Sequence, residues 1–308
     1  MLCVITGEVS PCDVRYILPG AMALITMVMT QSFSMSTVPI TFDASLGSYM
    51  VLQQAPAAAC VYGMLGDNGV SATIKITGGH TRNYTHKFTP LILQANITAD
   101  GAWKACLPPQ STGGDYIITA TCTGCLNATV ASIEHVTFGD VWYCGGQSNM
   151  ALPLLHTYSR NITVAAIRAG KYSNIRIHGL EGNMNPTQPW STLRQALAQR
   201  VGRDNSSDSS AFVRFSATCF YFAQELTDKL GGEKAPPIGL VHTAWGGSTI
   251  EQWLSNETIA TCQGARLTNK NQEYHDSRVL PYVSMTLKGF LWYQVRSCNN
   301  NHSAIYRK

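Results

Sequence analysis

The sequence predicts an α/β protein in which a parallel sheet with flanking helices follows a small all-β, sandwich-like domain. Three observations carry this. Short β-branched and aromatic runs recur between turn residues over 37–137 with no helical period; strands alternate with helices from about residue 138; and the strand runs beyond that point are almost continuously apolar.

In the first half the predicted strands are 49–52, 59–62, 72–76, 87–92, 116–121 and 128–133, separated by turns such as Leu65-Gly66-Asp67-Asn68-Gly69 and Ser111-Thr112-Gly113-Gly114-Asp115. In the second half the runs 136–144, 174–180, 238–245 and 289–294 suit strands buried on both faces, the arrangement of a parallel sheet. The clearest helix lies between the second and third of these. Phe212, Phe215, Cys219, Phe222, Leu226 and Leu230 fall three or four residues apart, Ser209 or Ser210 caps the start, and Gly231 and Gly232 end it.

Composition restricts the function classes. The 308 residues carry a net charge of only +4, with no basic run, which argues against a nucleic-acid partner. Charged residues are 13% of the chain, about half the usual share, so another source of surface solvation is required. Glycans are the predicted source. Residues 1–36 read as a secretory signal or signal anchor: the apolar run from Tyr16 to Thr30 follows Arg15 and precedes the small-x-small tripeptide Ser34-Met35-Ser36. A stable membrane partner is expected only if that signal stays uncleaved. Asn-x-Ser/Thr sequons follow at Asn83, Asn96, Asn127, Asn161, Asn205, Asn256 and Asn301. The expected location is the secretory pathway, extracellular or lysosomal.

Ten cysteines agree with that compartment. Cys3 and Cys12 precede the apolar run; eight others follow it, and several should pair in an oxidising environment. Cys122 and Cys125 form an isolated CxxC with no second pair to complete a zinc site. A local disulfide, or pairing with Cys60 or Cys106, is expected instead.

The segment richest in chemistry is Gly139-Asp140-Val141-Trp142-Tyr143-Cys144-Gly145-Gly146-Gln147-Ser148-Asn149-Met150. A buried strand ends in two glycines and a serine stands where a helix begins, which projects a hydroxyl from the carboxyl edge of the sheet beside backbone N–H groups able to hold an oxyanion. The plainer reading is that Ser148 is a helix N-cap. A second strand and Gly-Gly turn follow in Ile238 to Trp253, where Gly246 or Gly247 offers another backbone donor, and a third strand, Phe290 to Gln294, ends on the same edge with an amide.

These residues resemble the sialate O-acetylesterase group of the SGNH hydrolases. Gly139 to Met150 is similar to its nucleophile block, Ile238 to Trp253 to its glycine block, and Trp292-Tyr293-Gln294 to the opening of a third; Leu46 to Gln53, Asp100-Gly101-Ala102-Trp103 and Leu107-Pro108-Pro109 resemble its preceding β-domain. The resemblance implies an SGNH-type catalytic domain over 138–294, with Ser148 attacking an acetyl ester on sialic acid or another acetylated sugar. The oxyanion would be held by Ser148 N–H, the Gly246 or Gly247 N–H and the Gln294 amide. No metal or organic cofactor is implied.

The pattern departs from the family after Gln294, where the expected Gly-Glu-Ser/Ala-Asn is replaced by Val295-Arg296-Ser297-Cys298-Asn299. The histidine base that the family carries beyond this point has no counterpart, so the predicted catalytic domain is truncated. Residues 295–308 read as an aberrant tail, encodable as translated intron. Of the eight histidines, His275 and His302 lie in predicted loops and are the remaining candidates for a base; His80, His86, His135, His156, His178 and His242 fall on predicted strands, a helix or the β-domain. The alternatives are therefore an esterase of acetylated plant polysaccharide and a non-catalytic or vestigial glycan-binding form.

Overall fold

A computed structural model of the chain describes residues 38–78, 89–126, 129–179, 188–201, 210–261 and 272–294. The predicted signal, the tail, His80, His86, His302 and the sequons at Asn83, Asn127, Asn205 and Asn301 lie outside these residues. Among the described residues no helix is long and apolar enough to cross a membrane.

The chain opens with β1 (Thr41–Phe42), β2 (Val51–Gln53), β3 (Cys60–Met64), β4 (Ser71–Gly78), β5 (Leu91–Gln94), β6 (Asn96–Ile97), β7 (Ala102–Cys106) and β8 (Gly113–Thr123). Four of these form one sheet in the order β1-β3-β7-β6. Cys60 and Cys106, directly opposite in the β3–β7 register, form a disulfide, and Cys122 bonds to Cys125.

The strand that organises the molecule is β9 (Val130–Gly146), 17 residues long. Its first half alternates between core and solvent and pairs antiparallel with β8; its second half is almost wholly buried and belongs to the α/β layer. A shift in the β8–β9 register brackets His135, which has a φ of 56°, a left-handed conformation uncommon outside glycine and typical of a β-bulge. Tyr49, also left-handed, stacks on the His135 ring at 4.7 Å. The Arg176 guanidinium donates to the carbonyls of Tyr49 at 3.0 Å and of His135. Burial lowers its pKa to about 10, which leaves it charged, so the bend is held by a cation on backbone oxygens.

Beyond β9 come α1 (Ser148–Ala151), α2 (Arg160–Arg168), β10 (Ile175–Gly179), β11 (Gln188–Thr192), α3 (Leu193–Ala198), α4 (Ala211–Arg214), α5 (Ala217–Lys229), β12 (Ile238–His242), α6 (Asn256–Thr261) and β13 (Gly289–Tyr293). The long sheet runs β11-β10-β12-β9-β8-β4-β5, with β13 and β2 also on β9. Strands β10, β12, β9 and β13 are parallel, whereas β11 runs antiparallel to β10, so the sheet is mixed where a purely parallel one was expected. The reason is visible in β11: Pro189 cannot donate to a ladder, which suits a strand at the sheet's edge reached by a return connection.

The first half also differs from the expected separate sandwich. The boundary expected at 137/138 falls inside β9, and one apolar core contains residues from both sides of it, including Trp103, Ile118 and Phe138 together with Val141, Tyr143 and Val241. One face of the α/β sheet is therefore buried against the β half. The other carries a second core of Ile177, Leu240, Phe212 and Phe220 under the helices. Gln53 joins the halves with polar contacts: its Oε1 accepts from Val141 N at 3.0 Å and its Nε2 donates to the buried Asp140 carboxylate at 3.2 Å.

The predicted continuous helix over 212–230 is two helices. Phe215 is extended, and the Ser216 hydroxyl restarts the chain as α5 by accepting from Cys219 N at 3.1 Å. That hydroxyl also donates to Met150 O at 2.6 Å, fastening α5 to α1.

Candidate active site

The carboxyl ends of the four parallel strands share one edge of the sheet, where ligand sites form in open α/β folds. Three segments leave there: Gln147-Ser148 after β9, Thr243 to Ser248 after β12, and Gln294 after β13. Backbone bonds tie them together. Trp245 N donates to Gly146 O at 2.9 Å, Thr243 N to Cys144 O at 3.0 Å and Gln147 N to Tyr293 O at 2.9 Å. The predicted strand through Trp245 accordingly ends at His242, because Thr243 onward crosses to bond with β9.

Glycines permit this closeness. Tyr293 faces Gly146 across the β13–β9 register, and a Cβ on Gly146 would lie 2.3 Å from Tyr293 O at a φ of +125°. A Cβ on Gly145 would meet the Trp292 ring at 2.7 Å. The second turn is different. Gly247 needs glycine for its φ of +79°, yet nothing lies within 4 Å of a Cβ at Gly246 or Gly247, so the space above both is open.

Ser148 is not the cap of α1. The N-cap is Gln147, and Ser148 is the exposed first helical residue. Its hydroxyl accepts from Gln147 Nε2 at 3.4 Å. As a first-turn residue its N–H has no partner within the helix. Gln294 reaches across to the second turn, where its Nε2 donates to Ser248 O at 3.3 Å and its Oε1 is buried without a hydrogen-bond partner. Ser148, Gly246, Gly247 and Gln294 thus stand on one edge, as expected.

Among the described residues no histidine is hydrogen-bonded to Ser148. His135 pairs with Asp115 at 3.3 Å, and His178 stacks on Trp190 while its Nε2 meets Tyr282 Oη at 3.2 Å. The α1 helix ends at Ala151, so His156 lies on a separate 3-10 turn rather than on the helix after Ser148. His275 Nδ1 is 2.9 Å from Asp276 Oδ1, and this contact, with a hydrogen bond from Gln272, holds the Asp276 carboxyl below its usual range.

His242 is buried on β12 against the Phe215 ring, with Nε2 unpartnered. Burial, with the Arg278 charge second, lowers its pKa from 6.5 to about 3. An unfolded chain takes a proton below pH 6.5 that the native state refuses, so this group's contribution to stability is present above pH 6.5 and lost as pH falls towards 3. His242→Gln should therefore lose less stability than the parent between pH 7 and pH 4. Urea midpoints at the two pH values measure this, and equal losses would contradict it.

Sequence reasoning missed the bracket around the second turn. Trp253 Nε1 donates to Ser248 Oγ at 2.9 Å, and the π-helical turn His275–Val279 places the buried Arg278 beneath Trp245. Trp253 falls inside the glycine block, but no motif or period marks Arg278. Among the described residues no group of three or more His, Cys, Asp or Glu is gathered for a metal ion.

Comparison with known proteins bears on the family and the fold. The family "Carbohydrate esterase, sialic acid-specific acetylesterase" matches residues 138–308. The chain is 30% identical over 280 residues to the sialate O-acetylesterase of Pongo abelii, covering 86% of this chain and 50% of that protein. It is 29% identical to the Homo sapiens sialate O-acetylesterase with the same coverage. Among solved structures, a carbohydrate acetylesterase from Xanthomonas citri superposes with a TM-score of 0.58 at 24% identity, over 84% of this chain and 52% of that one, which speaks for the fold. The chain spans about half the length of the curated relatives it matches.

Proposed function

Since this chain belongs to the sialic acid-specific acetylesterase family of carbohydrate esterases, we propose that it removes O-acetyl groups from sialic acid or a related acetylated sugar, with Ser148 as nucleophile. The observation that carries this reading is the position of Ser148, exposed at the carboxyl edge and one residue past the helix cap, where it has no capping task. In the proposed reaction Ser148 Oγ bonds to the acetyl carbonyl carbon, its proton passes to a base, and the sugar oxygen leaves with a proton. Water then cleaves the acetyl-serine and returns the enzyme. The oxyanion is held by Ser148 N–H and by Gly246 or Gly247 N–H, with the second amide hydrogen of Gln294 as a third donor; each such donor contributes several kcal/mol.

A serine hydroxyl needs a base, and among the described residues the side-chain partner of Ser148 is Gln147 and not a histidine. That observation favours a second reading, in which the edge binds an acetylated sugar without turnover. Acetate release from an O-acetylated sialoside and from an acetylated polysaccharide, measured for the parent and Ser148→Ala alongside sialoside binding, separates the readings. A hydrolase releases acetate at least about 100-fold faster than Ser148→Ala. Equal rates with binding retained leave the binding reading, and neither release nor binding overturns both.

The proposal includes export. Three disulfides suit an oxidising compartment, and Asn96, Asn161 and Asn256 are exposed for glycosylation. Mass loss on enzymatic deglycosylation of the secreted chain checks this.

A further inference from the structure

Arg278 is only 6% exposed, and burial lowers the pKa of its guanidinium. The group lies 4.2 Å from the centre of the Trp245 ring and 5.5 Å from that of Tyr274, and its Nη1 donates to Thr243 O at 2.9 Å. Its own carbonyl accepts from the Tyr143 hydroxyl on β9 at 2.9 Å. One residue is thereby anchored to the central strand and grips both the start of the second turn, at Thr243, and its middle, at Trp245. On the opposite side Trp245 N donates to Gly146 O at 2.9 Å, inside the nucleophile turn. Thr243 to Trp245 is thus clamped between Arg278 and β9, directly ahead of the open Gly246-Gly247 step.

We propose that Arg278 is a positioning residue: its guanidinium, packed over the Trp245 ring, fixes the Gly246-Gly247 N–H groups relative to Ser148. This rests on the serine-esterase reading of the site. The physical reason is geometric. No atom meets a Cβ built at Gly246 or Gly247, so the turn is held at its flanks: by Arg278 at Thr243 and Trp245, and by Trp253 and Gln294 at Ser248. A planar guanidinium stacks its face on a ring while its edge donates to a carbonyl in one fixed geometry, whereas a lysine ammonium is a point charge on a flexible stem that fixes neither orientation. The wide π-helical turn, held by hydrogen bonds from Gln272 Nε2 to Asp276 at 2.9 and 3.0 Å, brings Arg278 to the Thr243 to Trp245 flank.

The test is the rate at which an alkyl fluorophosphonate labels Ser148 in the intact chain, resolved into probe affinity and maximal rate. Labelling of the parent but not of Ser148→Ala establishes the serine reading; its failure overturns that reading and the positioning role together. Arg278→Met is expected to lower the maximal rate about 10- to 100-fold with affinity unchanged, the effect of donors misplaced by about an ångström. Arg278→Lys should fall between. Met285→Ala, a core truncation away from the turn, serves as the stability control and should label as the parent does. Parent-like labelling of Arg278→Met overturns the positioning role while leaving Ser148 in place. Equal slowing of Arg278→Met and Met285→Ala reduces Arg278 to a packing residue and also overturns it. If Arg278→Met does not fold, Arg278→Lys decides: a parent-like maximal rate refutes the proposal.

Discussion

Gly146→Ala is expected to abolish Ser148 reactivity and to lower the unfolding free energy by more than about 2 kcal/mol. Two effects add. At a φ of +125° an L side chain is strained, and its Cβ would lie 2.3 Å from Tyr293 O, 2.8 Å from Tyr293 C and 3.0 Å from Tyr293 N. These are backbone atoms of a paired strand, so relief requires β13 to move off β9. Such movement breaks the 2.9 Å bond from Gln147 N to Tyr293 O, and leaving such groups unsatisfied costs about 1–3 kcal/mol more. Gly246→Ala is the internal contrast. Its Cβ meets nothing within 4 Å, so stability should stay within about 0.5 kcal/mol of the parent. Urea midpoints and fluorophosphonate labelling of both variants measure the difference, and a parent-like Gly146→Ala would mean that β13 does not lie on β9 as described.

Removing the Cys144–Cys219 bridge should cost about 4 kcal/mol by the chain-entropy estimate for its sequence separation of 75. For a chain of this size that is a fall of about 6 °C in the unfolding midpoint. Both cysteines are fully buried, so Cys144→Ala with Cys219→Ala leaves no charge or solvated group behind. The bridge links the last buried turn of β9, two residues before Gly146, to the first turn of α5. Its loss should therefore also loosen the nucleophile turn, seen as protease cleavage near Ser148 at temperatures the parent withstands. An unchanged midpoint would show that the bridge does not form.

The open side of β13 shows how the local pattern of the sequence meets the fold. Phe290, Trp292 and Tyr293 are 68%, 43% and 42% exposed, although the run 289–294 is as apolar as β12. An apolar run signals burial on both faces, and β12, with neighbours on each side, meets it; among the described residues β13 pairs only with β9. The same contrast explains the strands that sequence reasoning missed. In β7 the run Ala102–Cys106 alternates cleanly, but it is only five residues long and sits between turns. In β11 the proline and polar residues disguise an edge strand.

The sequence by itself determined the type of most elements and the segments that carry chemistry, because hydrophobic period, turn glycines and a serine beside them are local properties. It also supported an oxidising compartment through its cysteines. Only the tertiary structure decided that β9 belongs to both halves and that β11 runs antiparallel. It likewise paired Cys144 with Cys219 and showed that His242 is held neutral by burial and that Arg278 lies beneath Trp245. Each of those depends on groups tens of residues apart meeting in a dry interior, where contact energies are set by neighbours that no local pattern records.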